Sequence, residues 1–270
     1  MSVIPTKKRL APGFVLRFSL SLTQKIAASR QGSDQGLTLI EGLVAIVVVS
    51  VTLVSITPPI FWATGTRVQN RRAEQALQLA QGEIDRVRTL VDQDRATGEL
   101  LPPVSAANFR GTGSTSVPAP TVRKDSNVVT VNPRCANKDD GKSPSNVNQY
   151  TRIVTDPIPG SPNDCEPNFL MQTFRSAGLD ANGAAIPTTD TTTRPEGFVM
   201  GVRVYSFVAE ENLKNKTAKT EQASLKGTNG LGNQLTRPLA VQYSTIVRSS
   251  SGKNLDLYRK LCKTAGAGEC

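Results

Sequence analysis

The 270-residue chain contains no histidine. That removes the commonest general base and the commonest metal ligand. Aromatic residues make up only 5% of it, against 38% hydrophobic residues overall, so a large aromatic core is not expected. Cysteine is scarce as well: Cys135, Cys165, Cys262 and Cys270, with no C-x-x-C pair among them. A zinc cluster or a thioredoxin-like centre therefore has no ligands at the right spacing. No nucleophile-elbow, Walker A or dinucleotide fingerprint is present either. The expectation is a protein that is not an enzyme and holds no cofactor and no metal.

The net charge of +10 raises the question of nucleic acid or an anionic surface. Its distribution argues against nucleic acid. Six basic residues (Lys7, Lys8, Arg9, Arg17, Lys25, Arg30) stand against one acid, Asp34, within residues 1–36. The remainder carries only +5, without a dense basic tract. The four cysteines all follow residue 100, which fits disulfides in an oxidising compartment. Three pairings are open; Cys135–Cys165 with Cys262–Cys270 closes the two shortest loops. Four unpaired buried thiols is the competing reading.

What the chain does have is a long apolar run, "LTLIEGLVAIVVVSVTLVSIT", from Leu37 to Thr57. As a helix it is about 30 Å long, the thickness of a bilayer's hydrocarbon. Basic residues on its N-terminal side predict a cytoplasmic N-terminus and a single pass. The Pro58-Pro59-Ile60-Phe61-Trp62 stretch that follows offers no signal-peptidase site, and Phe61 and Trp62 suit an interface. Beyond it, Ala73, Ala76, Leu77, Ala80, Ile84, Val87 and Val91 recur at helical spacing with charges on the other side. One helix from Leu37 to about Val91 is predicted. A kink is expected at Pro58 and Pro59, which lack backbone N–H groups.

The segment Gly36-Leu37-Thr38-Leu39-Ile40-Glu41, with its basic leader and Pro58, resembles the prepilin processing motif of type IV pilins and type II secretion pseudopilins. The resemblance implies cleavage after Gly36 by a prepilin peptidase and N-methylation of Leu37. It also implies an assembly role for Glu41, whose carboxylate would meet the N-terminal amine of a neighbouring subunit. Leu37 departs from the phenylalanine of most major pilins, which leans towards a minor pilin or pseudopilin, and the leader is long for the family. Residues 36–91 are also similar to the pseudopilins of the hormogonium polysaccharide secretion system of filamentous cyanobacteria, which would imply a part in polysaccharide export and gliding. The implied partners are the peptidase, other pilin or pseudopilin subunits and an inner-membrane assembly platform. The implied location is the inner membrane, then a periplasmic or extracellular filament.

After Val91 the composition shifts to Gly, Pro, Ser and Thr. Strands are predicted at Val128–Val131, Tyr150–Val154, Phe169–Phe174, Gly197–Val208 and Leu239–Arg248. "DANG" at Asp180–Gly183 is read as a turn rather than a calcium loop, and "GTGST" (111–115) and "GTNGLGN" (227–233) lack the context for phosphate binding. The expected fold is α+β: a long helix packed by its amphipathic half on a small antiparallel sheet with long loops. The expected organisation is a cleaved leader (1–36), a transmembrane and assembly helix (37–62), an amphipathic helix (63–92) and an outer β domain (93–270). Two competing functions remain at this point: a minor pilin for DNA capture or adhesion, and a membrane-anchored enzyme with a coincidental motif.

Overall fold

The computed structural model describes residues 38–106, 117–130, 141–155, 166–190, 192–224, 233–250 and 252–264, with backbone alone at 56–66, 68, 125–128 and 262–264. The chain divides into two units, residues 1–55 and 56–270. Helix α1 (Leu39–Asp92) begins in the first unit and ends in the second. The kink expected at Pro58 and Pro59 falls where only the backbone is described.

The second unit is built on a five-stranded sheet: β1 (Val122–Thr130), β2 (Gln149–Val154), β3 (Phe169–Arg175), β4 (Gly197–Ser206) and β5 (Ala240–Val247), in that spatial order. All five predicted strands are present, with boundary shifts. The largest shift is at β1, which starts six residues before the expected Val128. The sheet is mixed, not antiparallel. β1 runs parallel to β2, and its register breaks between Arg123 and Val128, while the other three pairings are antiparallel. Two further helices, α2 (Glu210–Lys214) and α3 (Asn254–Thr264), were not predicted.

The stripe Ala76, Ala80, Ile84, Val87 and Val91 is buried and packs against Phe198, Met200, Val202 and Val204 of β4 together with Ile153, Phe169 and Ile246. These β4 residues alternate, as side chains on one face of a strand must. Leu77, expected in the stripe, stays exposed. The opposite face is not left to solvent. Val199 and Phe174 meet Leu257 and Leu261 of α3, and Tyr205 and Leu170 meet Leu213 of α2. Every residue of β4 is buried as a result. Phe174 and Tyr243 meet edge to face with centroids 6.2 Å apart. Gly201 lies beneath them; a Cβ there would come within 2.6 Å of the Phe174 Cζ.

α1 ends through Asp94, whose φ of 57° is left-handed. The Arg95 N–H donates back to the Leu90 carbonyl at 2.9 Å, closing the last turn. The Asp94 carboxylate then receives Arg248 at 3.2 Å and Arg194 at 3.4 Å. Arg248 also pairs with Glu196 at 3.0 Å, and this hydrogen bond raises the guanidinium's pKa.

Candidate assembly helix

The first unit presents α1 from Leu39 to Ser55. Val, Ile and Leu dominate it, and no side of it is covered. The large apolar residues between Leu39 and Val54 are 51–88% exposed. A helix apolar all round has no preferred inward face. Its hydroxyls are already satisfied from within. Ser50 Oγ donates to the Ile46 carbonyl at 2.7 Å, Thr52 Oγ1 to Val49 at 2.8 Å and Ser55 Oγ to Val51 at 2.7 Å. Water is therefore not needed to satisfy these three groups, as a low-dielectric setting requires.

Thr38 is the N-cap. Its carbonyl accepts from the Glu41 and Gly42 N–H groups at 2.9 and 3.1 Å, and its Oγ1 lies 3.4 Å from the Glu41 nitrogen. Thr38-x-x-Glu41 has the spacing of a capping box, a signal in the sequence that the reading for strands and motifs passed over. Glu41 stands in the first turn, where the helix dipole favours a negative charge. Its side chain is exposed, and no described group pairs with its carboxylate.

Of the residues singled out for processing, assembly, the kink and disulfides, only Glu41 has a described side chain. Gly36 and Leu37 lie outside the described residues, as do Cys135, Cys165 and Cys270; Pro58, Pro59 and Cys262 have backbone alone. Phe61 and Trp62 share that limit. Among the described residues no helix is long and apolar enough to cross a membrane. The described part of the apolar run is residues 38–55; Leu37, Ile56 and Thr57 of the predicted span are not fully described. Among the described residues there is also no group of three or more His, Cys, Asp or Glu able to hold a metal.

In the second unit one polar cluster is buried and paired. Glu210, at the start of α2, accepts from the Tyr150 hydroxyl at 2.8 Å and from Arg152 through both carboxylate oxygens at 2.7 Å. Burial pushes its carboxyl up, but these hydrogen bonds and the Arg152 charge outweigh burial and hold it below its ordinary value. The Tyr150 hydroxyl is pushed up, by burial first and by Glu210 second. Two other arginines are buried without a carboxylate, one on each face of the sheet. Arg203 lies 4.8 Å over the Phe174 ring and donates to the Val117 carbonyl at 2.7 Å. Arg175 lies 5.4 Å over the Phe198 ring.

"DANG" is a turn, as expected. Asp180 Oδ1 accepts from the Asn182 and Ala184 N–H groups at 2.9 and 2.8 Å, and Gly183 takes φ of 75°. The carboxylate is thereby occupied by its own backbone. None of these arrangements sets a nucleophile beside a base. No protein-family model, no curated protein and no solved structure matches this chain.

Proposed function

We propose that the chain is a minor pilin or pseudopilin, a structural subunit of a type IV pilus-like or secretion filament. The observation that carries this reading is the first stretch of α1. It is apolar on every side, self-satisfied in its hydroxyls, and marked by one unpaired carboxylate in a capped first turn. A carboxylate at the edge of hydrocarbon calls for a cationic partner. Cleavage after Gly36 would create one, the amine of Leu37, on each subunit. Pairing Glu41 with the amine of a neighbour sets an axial register that apolar contacts alone cannot set. The segment 37–57 spans the inner membrane once before assembly, with residues 1–36 cytoplasmic, and the platform and the prepilin peptidase are its partners there. The resemblance of residues 36–91 to pseudopilins of polysaccharide secretion supports polysaccharide export and gliding as the processes it serves.

The test is the intact mass and N-terminal sequence of the protein purified from its host's membranes. A chain beginning at N-methylated Leu37 is expected. A chain beginning at Met1, in cells whose peptidase is active, overturns the proposal and leaves Glu41 in need of another partner.

A further inference from the structure

Arg175 is 5% exposed, yet no carboxylate neutralises it. Its backbone is fixed on both sides. It pairs with Met200 of β4, and on the other side its N–H donates to the Pro103 carbonyl at 3.0 Å while its own carbonyl accepts from Ser105 at 2.8 Å. The guanidinium is fixed as firmly. Nε donates to the Pro102 carbonyl at 3.0 Å, and Nη1 to the Ser176 and Ala177 carbonyls at 3.1 and 3.0 Å. Those bonds take up Nε and Nη1 and leave Nη2 without a partner among the described residues, so it offers a carboxylate a single-nitrogen contact. Burial alone lowers the pKa to about 10, so the group remains a cation at neutral pH. Arg175 lines an open groove of about 980 Å³.

The walls of that groove say what could meet the cation. Pro102, Pro103 and Pro144 contribute no backbone N–H, so a peptide laid there finds no donor from them to pair with as an added strand. Polar side chains project instead, including Thr97, Asn146 and Thr188, all exposed. Asn146 spends its Oδ1 on the Asn148 N–H at 2.9 Å and keeps its amide donors. The groove's own carboxylate, Glu99, is held by Lys142 at 2.8 Å, so a ligand with many hydroxyls and a carboxylate still matches this lining: hydroxyls for the side chains, the carboxylate for Nη2, C–H faces for the proline rings. We propose that the groove binds an acidic saccharide, a chain carrying hexuronate residues, with Arg175 as the carboxylate receptor. This site is separate from α1's apolar stretch, and its binding does not depend on the pilin reading.

The experiment titrates the full-length chain in detergent with short oligogalacturonate, with the same oligosaccharide methyl-esterified, and with oligoglutamate. Binding of the free acid alone is expected, weakening as salt is added. Arg175→Lys keeps the charge but withdraws the Nη2 donor, and is expected to weaken binding about tenfold. Because Arg175 also ties down Pro102 and Ala177, the double variant Thr97→Val/Thr188→Val serves as a second probe. It changes only exposed side chains and no charge, so its thermal midpoint should stay put while affinity falls several-fold. Equal or tighter binding of oligoglutamate overturns the saccharide assignment in favour of an acidic peptide. Absence of binding, or binding unchanged in both variants, overturns the site.

Discussion

The two ends of α1 obey opposite rules. From Leu39 to Ser55 the apolar residues lie on all sides and all remain exposed; from Ala76 to Val91 they form one stripe, and the stripe is buried. Both stretches are helical, so helix propensity does not distinguish them. Val and Ile, which favour strands in water, fill the first stretch, whereas Ala, Leu, Gln, Glu and Arg fill the second. The second stretch has its partner, the β4 face, within the same unit. The first has none among the described residues of its own unit, and its hydroxyls are folded back onto its own backbone. One part of the helix completes a core, and the other leaves its apolar side chains exposed.

An aspartate placed in each stretch should separate them most sharply. Val87→Asp puts an unpaired charge into the core beneath β4, at a cost above about 4 kcal/mol, so the outer unit should unfold. Val48→Asp touches no core, and the thermal midpoint of the outer unit should not move. Its effect is expected in membrane insertion, weakened by about 2.5–3.5 kcal/mol, as read by fractionation. A midpoint shift from Val48→Asp would show that the first stretch is part of the folded core after all. The next largest effect tests the sheet's second face. Gly201→Ala drives a methyl into Phe174 and Tyr243 and should cost about 1–3 kcal/mol in chemical denaturation.

Much of this architecture was legible in the sequence, because periodicity is a local property. The buried stripe of α1 and all five strands follow from spacing and β-branched runs. The parallel pairing of β1 does not, since nothing in Val122–Thr130 encodes the direction of its neighbour. α2 is too short for its period to show. α3 did leave a signal, Leu257 and Leu261 four apart among Lys and Arg, in a tail whose cysteines point equally to a disulfide-tied loop. The burial of Arg203 was invisible for a related reason. In "GVRVYS" it reads as the polar face of an alternating strand, and only α3, α2 and the Val117 segment turn that face inward. Of the candidate site, Glu41 and its neighbours were legible as a motif. Arg175 was not, because its partners lie in loops that no pattern ties to it.

Glu210 gives an intermediate effect with a defined pH window. Its folded pKa lies below its ordinary 4.5, so the stability it contributes is fully present above that value. It is lost as pH falls through the lower folded pKa. Glu210→Gln leaves Arg152 without its counterion and should cost about 1–3 kcal/mol at pH 7. The gap between variant and native protein should narrow towards pH 3. A gap independent of pH would mean that the carboxylate's charge contributes nothing there.

The smallest stability effects, and the most discriminating for the first stretch, belong to its start. Thr38→Ala removes the cap oxygen and should cost about 1 kcal/mol, seen as faster amide exchange in the first turn of the micelle-bound chain. Glu41→Gln removes a charge that no described group accepts, so exchange there should change by only a few tenths of a kcal/mol, the size of the lost dipole interaction. Filament assembly should respond in the opposite order, surviving Thr38→Ala and failing with Glu41→Gln. A cap serves the helix that carries it, whereas an unpaired carboxylate serves whatever comes to meet it. If assembly instead tracked amide exchange in the two variants, Glu41 would be a helix-start residue and nothing more.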